Sequence, residues 1–167
     1  KDYNKPTNRI LTSLLSKDRL AFILQFGLAY VEEEIDGVNV IQKHIMRYPQ
    51  IFATKAIKAS LDKSIKKGII WHTQGSGKTA LAYYNVKFLT DYYQKKNIIP
   101  KFYFVVDRLD LANQAASEFG MRGLIVKRVN SRIEFLKDIK TISALQNSTG
   151  EPEISVINIQ KFTEEST

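Results

Sequence analysis

A glycine-rich segment, residues 73–79, carries the residue types with the clearest chemistry in this chain. Its sequence, TQGSGKT, follows an apolar run and precedes a long stretch with helical spacing. Glycines let backbone N–H groups approach phosphate oxygens closely, and the start of a helix presents its positive end to them. Lys78 would contact the outer phosphates, and the Thr79 hydroxyl would bind Mg²⁺. We therefore predict a phosphate-binding loop for a nucleoside triphosphate.

The loop departs at one position from the strict pattern G-x-x-x-x-G-K-[ST], because His72 stands where the first glycine is expected. The departure leaves residues 75–79 intact, and these are the residues that would hold the phosphates. A plain turn between a strand and a helix is the alternative, but such a turn does not need lysine followed by threonine. The candidate nucleotide ligands of the loop are Thr73, Gln74, Gly75, Ser76, Gly77, Lys78 and Thr79, with Lys78 and Thr79 as the catalytic pair.

Composition limits the class of protein. The chain has 167 residues, 44% of them hydrophobic, which is enough for one domain with a core, or for a domain plus an extension. It has no cysteine and two histidines, which excludes disulfides and argues against a zinc site. No run of about 20 apolar residues indicates a membrane span, and no signal-peptide pattern opens the sequence. We expect a soluble, cytoplasmic protein, since free nucleoside triphosphate is an intracellular ligand.

Positive charge is concentrated around the loop. The formal net charge is +8, and residues 51–100 contain nine Lys or Arg against two Asp or Glu. Residues 1–50 contain seven against six, and residues 151–167 contain one against four. A basic field suits a polyanion such as DNA or RNA. A solvated, lysine-rich surface is the alternative, and charge alone does not separate the two.

The first third of the chain contains signals for two helices with a hairpin between them. Two β-rich runs, residues 28–35 and 38–45, are joined by Asp-Gly, the pair that favours a two-residue hairpin turn. A second helix is predicted at residues 51–66, with Pro49 at its start. The helix ahead of the hairpin is predicted to have Ser16 as its N-cap and an apolar face formed by Leu20, Ile23 and Leu24.

The rest of the chain alternates between apolar strands and helical patterns. Strands are predicted at residues 69–73, 102–106, 124–129 and 154–158, helices at 78–94, 109–119 and 131–137, and a polar loop at 146–153. Continuous apolar strands that alternate with helices indicate an α/β fold with a parallel sheet covered on both faces. Ligands of such sheets lie at the carboxyl ends of strands, where residues 73–79 and 107–108 are expected.

A hydrolytic phosphate-binding loop also needs an acidic residue at the end of a second strand, to hold Mg²⁺ and order the attacking water. The sequence FVVD, which ends at Asp107, is the nearest match, but Arg108 follows it instead of a second acid. The strand predicted at residues 154–158 ends without an acid. Either Asp107 has this role, or the acidic motif lies beyond Thr167.

Five segments resemble parts of one family. IWHTQGSGKT at residues 70–79 and VVDRLDLANQ at residues 105–114 are similar to motifs I and Ia of the motor (R, or HsdR) subunit of type I restriction enzymes, a helicase-like translocase of superfamily 2. RYPQIFA at residues 47–53 resembles the segment upstream of motif I, where a glutamine reads adenine. SVINIQKF at residues 155–162 resembles the stretch before the family's acidic box, and LLSKDRL at residues 14–20 resembles the helix ahead of the motor.

The resemblance covers essentially the whole chain and implies a RecA-like domain preceded by a helix and hairpin extension. It implies that residues 1–46 form this extension, leading from a nuclease domain, and that residues 47–167 form the first RecA-like motor domain. The acidic box, a second RecA-like domain with its arginine finger and the nuclease would lie outside the chain. The chain alone would therefore bind nucleotide weakly and hydrolyse essentially none.

The same resemblance implies an activity and partners. The activity is ATP- and Mg²⁺-dependent translocation of double-stranded DNA, as part of a type I site-specific deoxyribonuclease. The implied partners are double-stranded DNA and the modification (M) and specificity (S) subunits of a restriction complex, with no membrane. Histidine at position 72 is normal in this family.

Roles outside the loop also follow from the resemblance. Gln50 would read adenine, because an amide can pair with N6 and N7 of the base; an exposed glutamine at a helix start is the alternative. Asp107, Arg108 and Gln114 would lie close to DNA, which removes Asp107 from the Mg²⁺ site. Helix capping by Asp107 and plain solvent exposure of the other two are the alternatives.

Several aromatic residues lie beside Gln50 in the sequence or in the helix predicted after the loop. Tyr48 and Phe52 are candidates to flank the base, with packing in the core as the alternative use of at least one of them. The tyrosines of the helix at residues 78–94 are predicted to be core and surface cover rather than a stacking platform.

Three other functions compete with the translocase. One is a different superfamily 2 helicase or translocase. A small-molecule kinase or a GTPase uses the same loop, but the Asn-Lys-x-Asp guanine reader of GTPases does not occur in this sequence. The last is a non-catalytic nucleic-acid-binding domain with a degenerate loop, and the intact Lys78 and Thr79 argue against it.

Overall fold

The computed structural model describes residues 15–140, 151–160 and 162, which form five helices and five strands. In chain order they are α1 (Lys17–Phe26), β1 (Leu28–Ile35), β2 (Val38–Ile45), α2 (Tyr48–Asp62), α3 (Lys78–Gln94), β3 (Tyr103–Val106), α4 (Leu109–Met121), β4 (Ile125–Val129), α5 (Arg132–Lys140) and β5 (Glu153–Asn158). Most of the loop predicted at residues 146–153 lies outside the described residues, and β5 begins at Glu153.

Three parallel strands form a sheet in the order β3-β5-β4. β5 is the central strand, and residues 154–158 are all buried. On β3, Phe104 contacts Phe119 of α4, whereas its neighbour Tyr103 contacts Phe135 of α5. Because adjacent residues of a strand point to opposite faces, α4 and α5 cover opposite faces of the sheet. The predicted α/β class, with a parallel sheet flanked by helices, is confirmed.

A buried polar cluster holds α5 against the sheet. The carboxylate of Asp138 accepts hydrogen bonds from Lys127 of β4 at 2.5 Å and from the hydroxyl of Tyr103 at 2.7 Å. Burial raises the pKa of Asp138, but the two hydrogen bonds and the positive charges of Lys127 and Lys101 together hold the pKa below its ordinary value of 3.8. Burial and the carboxylate raise the pKa of Tyr103. Asp138 is therefore ionised and paired at neutral pH.

The prediction of a strand at residues 69–73 is wrong, because residues 65–73 have no regular secondary structure. The side chains of Ile69 and Trp71 are 90% and 91% exposed. A strand exists only where a neighbouring strand takes its backbone hydrogen bonds, and none of the described strands pairs with this segment. Residues 107–108 therefore follow the carboxyl end of a strand as predicted, whereas residues 73–79 follow irregular chain.

The predicted hairpin is confirmed to the residue. β1 and β2 pair in antiparallel register along all eight residues of each strand. Asp36 and Gly37 have φ angles of 52° and 78°, as a two-residue turn with both central residues in the left-handed region requires. Ala29 and Val31 of β1 are buried, whereas β2 exposes most of its side chains. The hairpin is therefore anchored through one face of β1.

Helix α1 packs with a face that matches the predicted one only at Ile23. Ile23 and Phe26 are buried, but Leu20 and Leu24 are exposed. The ring of Phe26 meets that of Phe88 of α3 edge to face, with 5.1 Å between centroids. Aromatic contacts of this kind contribute beyond the area they bury, and they place the phenylalanine face rather than the leucine face inward.

Other helix boundaries differ by a few residues. α2 ends at Asp62 rather than at residue 66. α4 continues through Gly120, the predicted end, and stops before Gly123, whose φ of 80° is the left-handed conformation that commonly terminates helices. The Ser131 hydroxyl caps α5, since it accepts a hydrogen bond from the Glu134 N–H at 3.0 Å.

Helix α3 lies in the centre of the core and contacts α1, α2 and α4. Its buried residues are Leu81, Tyr83, Tyr84, Val86, Phe88, Thr90 and Tyr92. The prediction that the tyrosines of this helix serve as core is confirmed for Tyr83, Tyr84 and Tyr92. The loop at the start of α3 is consequently attached to a helix that is held on several sides.

Candidate nucleotide-binding site

Residues 73–79 form a tight loop that leads directly into α3. Gly75 and Gly77 have φ angles of 74° and 80°, a region in which other residues are strained by about 1–2 kcal/mol. Gly77 is the N-cap of α3, and its carbonyl accepts a hydrogen bond from the Leu81 N–H at 2.9 Å. The first turn of α3 contains no acidic residue, so its positive end is not neutralised locally. This arrangement suits an anion at the helix start.

Lys78 folds back over the loop. Its Nζ donates to the Thr73 carbonyl at 2.9 Å and lies 3.4 Å from the His72 carbonyl. The Ser76 hydroxyl donates to the same Thr73 carbonyl at 2.8 Å. The ammonium is exposed and is held by neutral carbonyls rather than by a carboxylate. Because charged partners bind an ammonium more strongly than neutral ones do, a phosphate would displace these carbonyls.

The Thr79 side chain is half-buried in the first turn of α3. Within the described part of the chain, no hydrogen bond engages its hydroxyl. The same residues contain no group of three or more His, Cys, Asp or Glu side chains that could hold a metal ion. The role of the Thr79 hydroxyl as a ligand of Mg²⁺ stays a prediction.

Gln50 is brought to the loop from α2. It is buried, with 4% of its surface exposed, so the alternative of an exposed glutamine is wrong. Its Oε1 accepts a hydrogen bond from the Arg47 N–H at 2.8 Å, and its Nε2 donates to the Gly77 carbonyl at 3.1 Å. A Cβ added at Gly77 would lie 2.6 Å from that Nε2. Gln50 therefore ties the start of α2 to the left-handed glycine of the loop.

Tyr48 and Phe52, the aromatic residues predicted to flank the base, lie away from the loop glycines. Tyr48 and Phe52 are 70% and 46% exposed, so neither is a core residue. Both line an apolar cavity of about 550 Å³ between α2 and the irregular segment before the loop. His72 lines the same cavity, and its Nδ1 is buried without a hydrogen-bond partner among the described residues. The structure does not bring Tyr48 or Phe52 to the loop glycines.

A second cavity, of about 430 Å³, lies beside the loop. The two loop glycines form one side, the start of α2 with Gln50 forms another, and residues 43–45 at the end of β2 form a third. Tyr84 of α3 and Arg122 after α4 complete it. Small-molecule sites are typically about 300–1,000 Å³ in volume. Residues 43–45, Tyr84 and Arg122 are not predictable as neighbours of the loop, because no local pattern links these distant positions to it.

The three residues predicted to lie near DNA are all exposed. Asp107 and Arg108 follow β3, and Gln114 of α4 donates from Nε2 to Glu118 Oε1 at 3.0 Å. The N-cap position of α4 is Arg108, and no side chain caps this helix, so capping by Asp107 is wrong. No hydrogen bond or ion pair among the described residues joins these three to the loop. Their role in DNA binding stays a prediction.

The chain matches the family model of the SWI2/SNF2 ATPase over residues 49–167. A relative from Methanocaldococcus jannaschii with the name "Putative type I restriction enzyme MjaVIIP endonuclease subunit" is 34% identical over 161 residues, 89% of this chain and 15% of that protein. The type I restriction enzyme SauCOLORF180P endonuclease subunit of Staphylococcus aureus is 33% identical over 132 residues, 77% of this chain and 14% of that protein. The HindI endonuclease subunit of Haemophilus influenzae is 28% identical over 160 residues, 92% of this chain and 14% of that protein.

The fold, the loop and the family match define the class: the chain belongs to the SWI2/SNF2 ATPase family. Its similarity to endonuclease (HsdR) subunits of type I restriction enzymes, inferred from sequence motifs, is confirmed. The chain spans about 15% of the length of these relatives. In the part of the chain that the structure describes, no helix combines the length and apolar character needed to cross a membrane.

Proposed function

We propose that this chain is the ATP-binding part of an ATP-driven double-stranded DNA translocase, within the motor subunit of a type I restriction endonuclease. Residues 47–167 would be its first RecA-like domain, and residues 1–46 its extension. The observation that carries the proposal is the position of Lys78, whose ammonium is held by neutral carbonyls at the start of a helix anchored in the core. Family membership and the names of the relatives support the same reading.

The loop residues would divide the binding of MgATP between them. Backbone N–H groups of residues 75–79 would surround the outer phosphates, and the start of α3 would favour their negative charge. Lys78 would exchange the Thr73 carbonyl for a phosphate oxygen. The Thr79 hydroxyl would be a Mg²⁺ ligand, and the bound Mg²⁺ would neutralise charge that develops on the phosphates.

Gln50 retains the capacity to read adenine while it holds the loop. An amide has two N–H donors and two acceptor lone pairs, and the contacts with Arg47 and Gly77 use one of each. The remaining donor and acceptor complement N7 and N6 of adenine. Gln50 lines the cavity beside the loop, which places its amide next to space that a base can enter.

Substitution of Lys78 tests the proposal. In the complete protein, Lys78→Ala should abolish DNA-stimulated ATP hydrolysis, measured as phosphate release with and without double-stranded DNA. Lys95→Ala is the matched control, because Lys95 follows the opposite end of α3 and its Nζ forms an ion pair with Asp91 at 2.7 Å. Unchanged DNA-stimulated turnover in Lys78→Ala would refute the proposal. The 167-residue chain alone should bind ATP weakly, and multiple turnovers by it would contradict the expectation that further catalytic groups are needed.

The proposed partners are double-stranded DNA and the M and S subunits of a restriction complex. The exposed Arg108 is the clearest candidate for a phosphate contact. In the complete protein, Arg108→Ala should reduce the slope of log affinity against log salt by about one unit on any DNA sequence. Arg132→Ala, at the start of α5, is the control and should leave the slope unchanged. Equal slopes for wild type and Arg108→Ala would remove Arg108 from the DNA interface.

A further inference from the structure

We propose that the β1–β2 hairpin is part of the nucleotide site. On this proposal, residues 43–45 at the end of β2 form a wall of the pocket that receives the nucleoside half of the nucleotide. The inference rests on the proposed function, since it requires a triphosphate in the loop. It assigns a ligand-binding role to a hairpin that the family resemblance places in an extension ahead of the motor domain.

The position of the cavity supports this assignment. A triphosphate held by the loop must direct its ribose and base into space that borders the loop glycines. The cavity of about 430 Å³ is lined by Gly75, Gly77 and residues 43–45. The larger apolar cavity is lined by Trp71 and His72 but by neither loop glycine. Only the first of these two cavities therefore continues from the loop towards the hairpin.

The lining of this cavity has the chemistry that a nucleoside phosphate requires. Three cationic residues border it, Lys43 from β2, Arg47 before α2 and Arg122 after α4. These residues suit ribose hydroxyls and the inner phosphate. Arg122 is held in place, because its Nη1 donates to the Glu118 carbonyl at 2.7 Å. Apolar surface for a base is supplied by Ile45 of β2, with more from α3.

The hairpin is fixed to the core, as a wall of a binding site must be. The Met46 N–H donates to the Gly27 carbonyl at 2.8 Å, which closes the open end of the hairpin. Lys87 of α3 donates from Nζ to the Leu28 carbonyl at 3.1 Å. Together with the buried side chains of β1, these contacts tie the end of β2 to the helix that begins at the loop. These contacts hold residues 43–45 beside the start of α3.

The test compares two ligands that share the triphosphate. Binding of ATP and of inorganic tripolyphosphate, each with Mg²⁺, is measured by titration calorimetry on the complete protein. Ile45→Trp fills the cavity and should weaken ATP binding by about tenfold or more while tripolyphosphate binding stays unchanged. Val38→Trp is the matched control, since Val38 is an exposed aliphatic residue of the same strand at the turn end, and it should bind both ligands as wild type does.

The outcomes separate this inference from the proposed function. Lys78→Ala should weaken the binding of both ATP and tripolyphosphate. If it changes the affinity for neither ligand, the proposed function is overturned. If Lys78→Ala weakens both but Ile45→Trp binds ATP normally, the hairpin inference alone fails. Equal weakening of both ligands by Ile45→Trp also overturns it, because only the nucleoside half should be affected. If Ile45→Trp does not fold, His44→Ala provides the same comparison by removing a half-buried ring from the same wall.

Discussion

Replacing Gly77 by alanine should damage the loop in two separable ways. The φ of 80° places alanine in the left-handed region, at about 1–2 kcal/mol. The new Cβ would lie 2.6 Å from Gln50 Nε2, so the buried amide must move and give up its hydrogen bond to the Gly77 carbonyl. Loss of a buried hydrogen bond costs about 1–3 kcal/mol. The expected loss in free energy of unfolding is therefore about 2–5 kcal/mol.

Gly75 provides the matched control. Its φ of 74° carries the same strain, but a Cβ added there meets nothing within 4 Å. Gly75→Ala should therefore destabilise the chain by about 1–2 kcal/mol only. The measurement is urea denaturation of the 167-residue chain, followed by circular dichroism, for both variants and wild type.

A third variant isolates the contact with Gln50. In a Gln50→Ala background there is no amide for the new Cβ to meet, so the effect of Gly77→Ala should fall to about 1–2 kcal/mol, the strain alone. Equal destabilisation by Gly75→Ala and Gly77→Ala, or an effect of Gly77→Ala that is the same in both backgrounds, would refute the reasoning that Gln50 restrains the loop.

Three further predictions concern the base, the sheet and the irregular segment. Gln50→Ala should reduce the preference of the complete protein for ATP over GTP in competition titrations, and an unchanged ratio would exclude adenine reading by Gln50. The pKa of Asp138 is lowered in the folded chain, so its hydrogen bonds stabilise the fold above the unfolded pKa and this stability is lost as pH falls through the folded pKa. Asp138→Asn should therefore lower the free energy of unfolding at pH 7 by about 2 kcal/mol, and the loss should become smaller below about pH 4. A loss of equal size at pH 7 and below about pH 4 would contradict this prediction. Trp71→Ser should change the stability of the 167-residue chain by less than about 0.5 kcal/mol in urea denaturation, because the ring is 91% exposed, whereas a large loss would show that the segment packs in a strand after all.

Several parts of the fold were predictable because their causes are local. Asp36-Gly37 determines its own turn, since both residues tolerate left-handed angles, and the register of the hairpin follows from that turn. The bounds of α3 follow from the loop glycines at its start and from its helix-forming residues. The α/β class follows from alternating apolar runs. Each of these inferences needs only residues that are close together in the sequence.

Other parts were not predictable, because they depend on which elements meet. Residues 69–73 are as apolar as a buried strand, but apolarity does not provide a neighbouring strand, and none of the described strands pairs with them. The inward face of α1 depends on the ring of Phe88, which lies far along the chain. Gln50 looks like any polar residue at a helix start, and its burial results from the approach of α2 to the loop.

By itself, the sequence determined the relatives of this chain and predicted a phosphate-binding loop at residues 73–79. The loop is recognisable because glycines, lysine and threonine must stand at adjacent positions for backbone and side chains to converge on one ligand. The tertiary structure decided what surrounds the loop: a glutamine from α2 behind Gly77, and a cavity whose third wall comes from β2. Those neighbours are separated from the loop by tens of residues, and only packing of the helices and the hairpin brings them together.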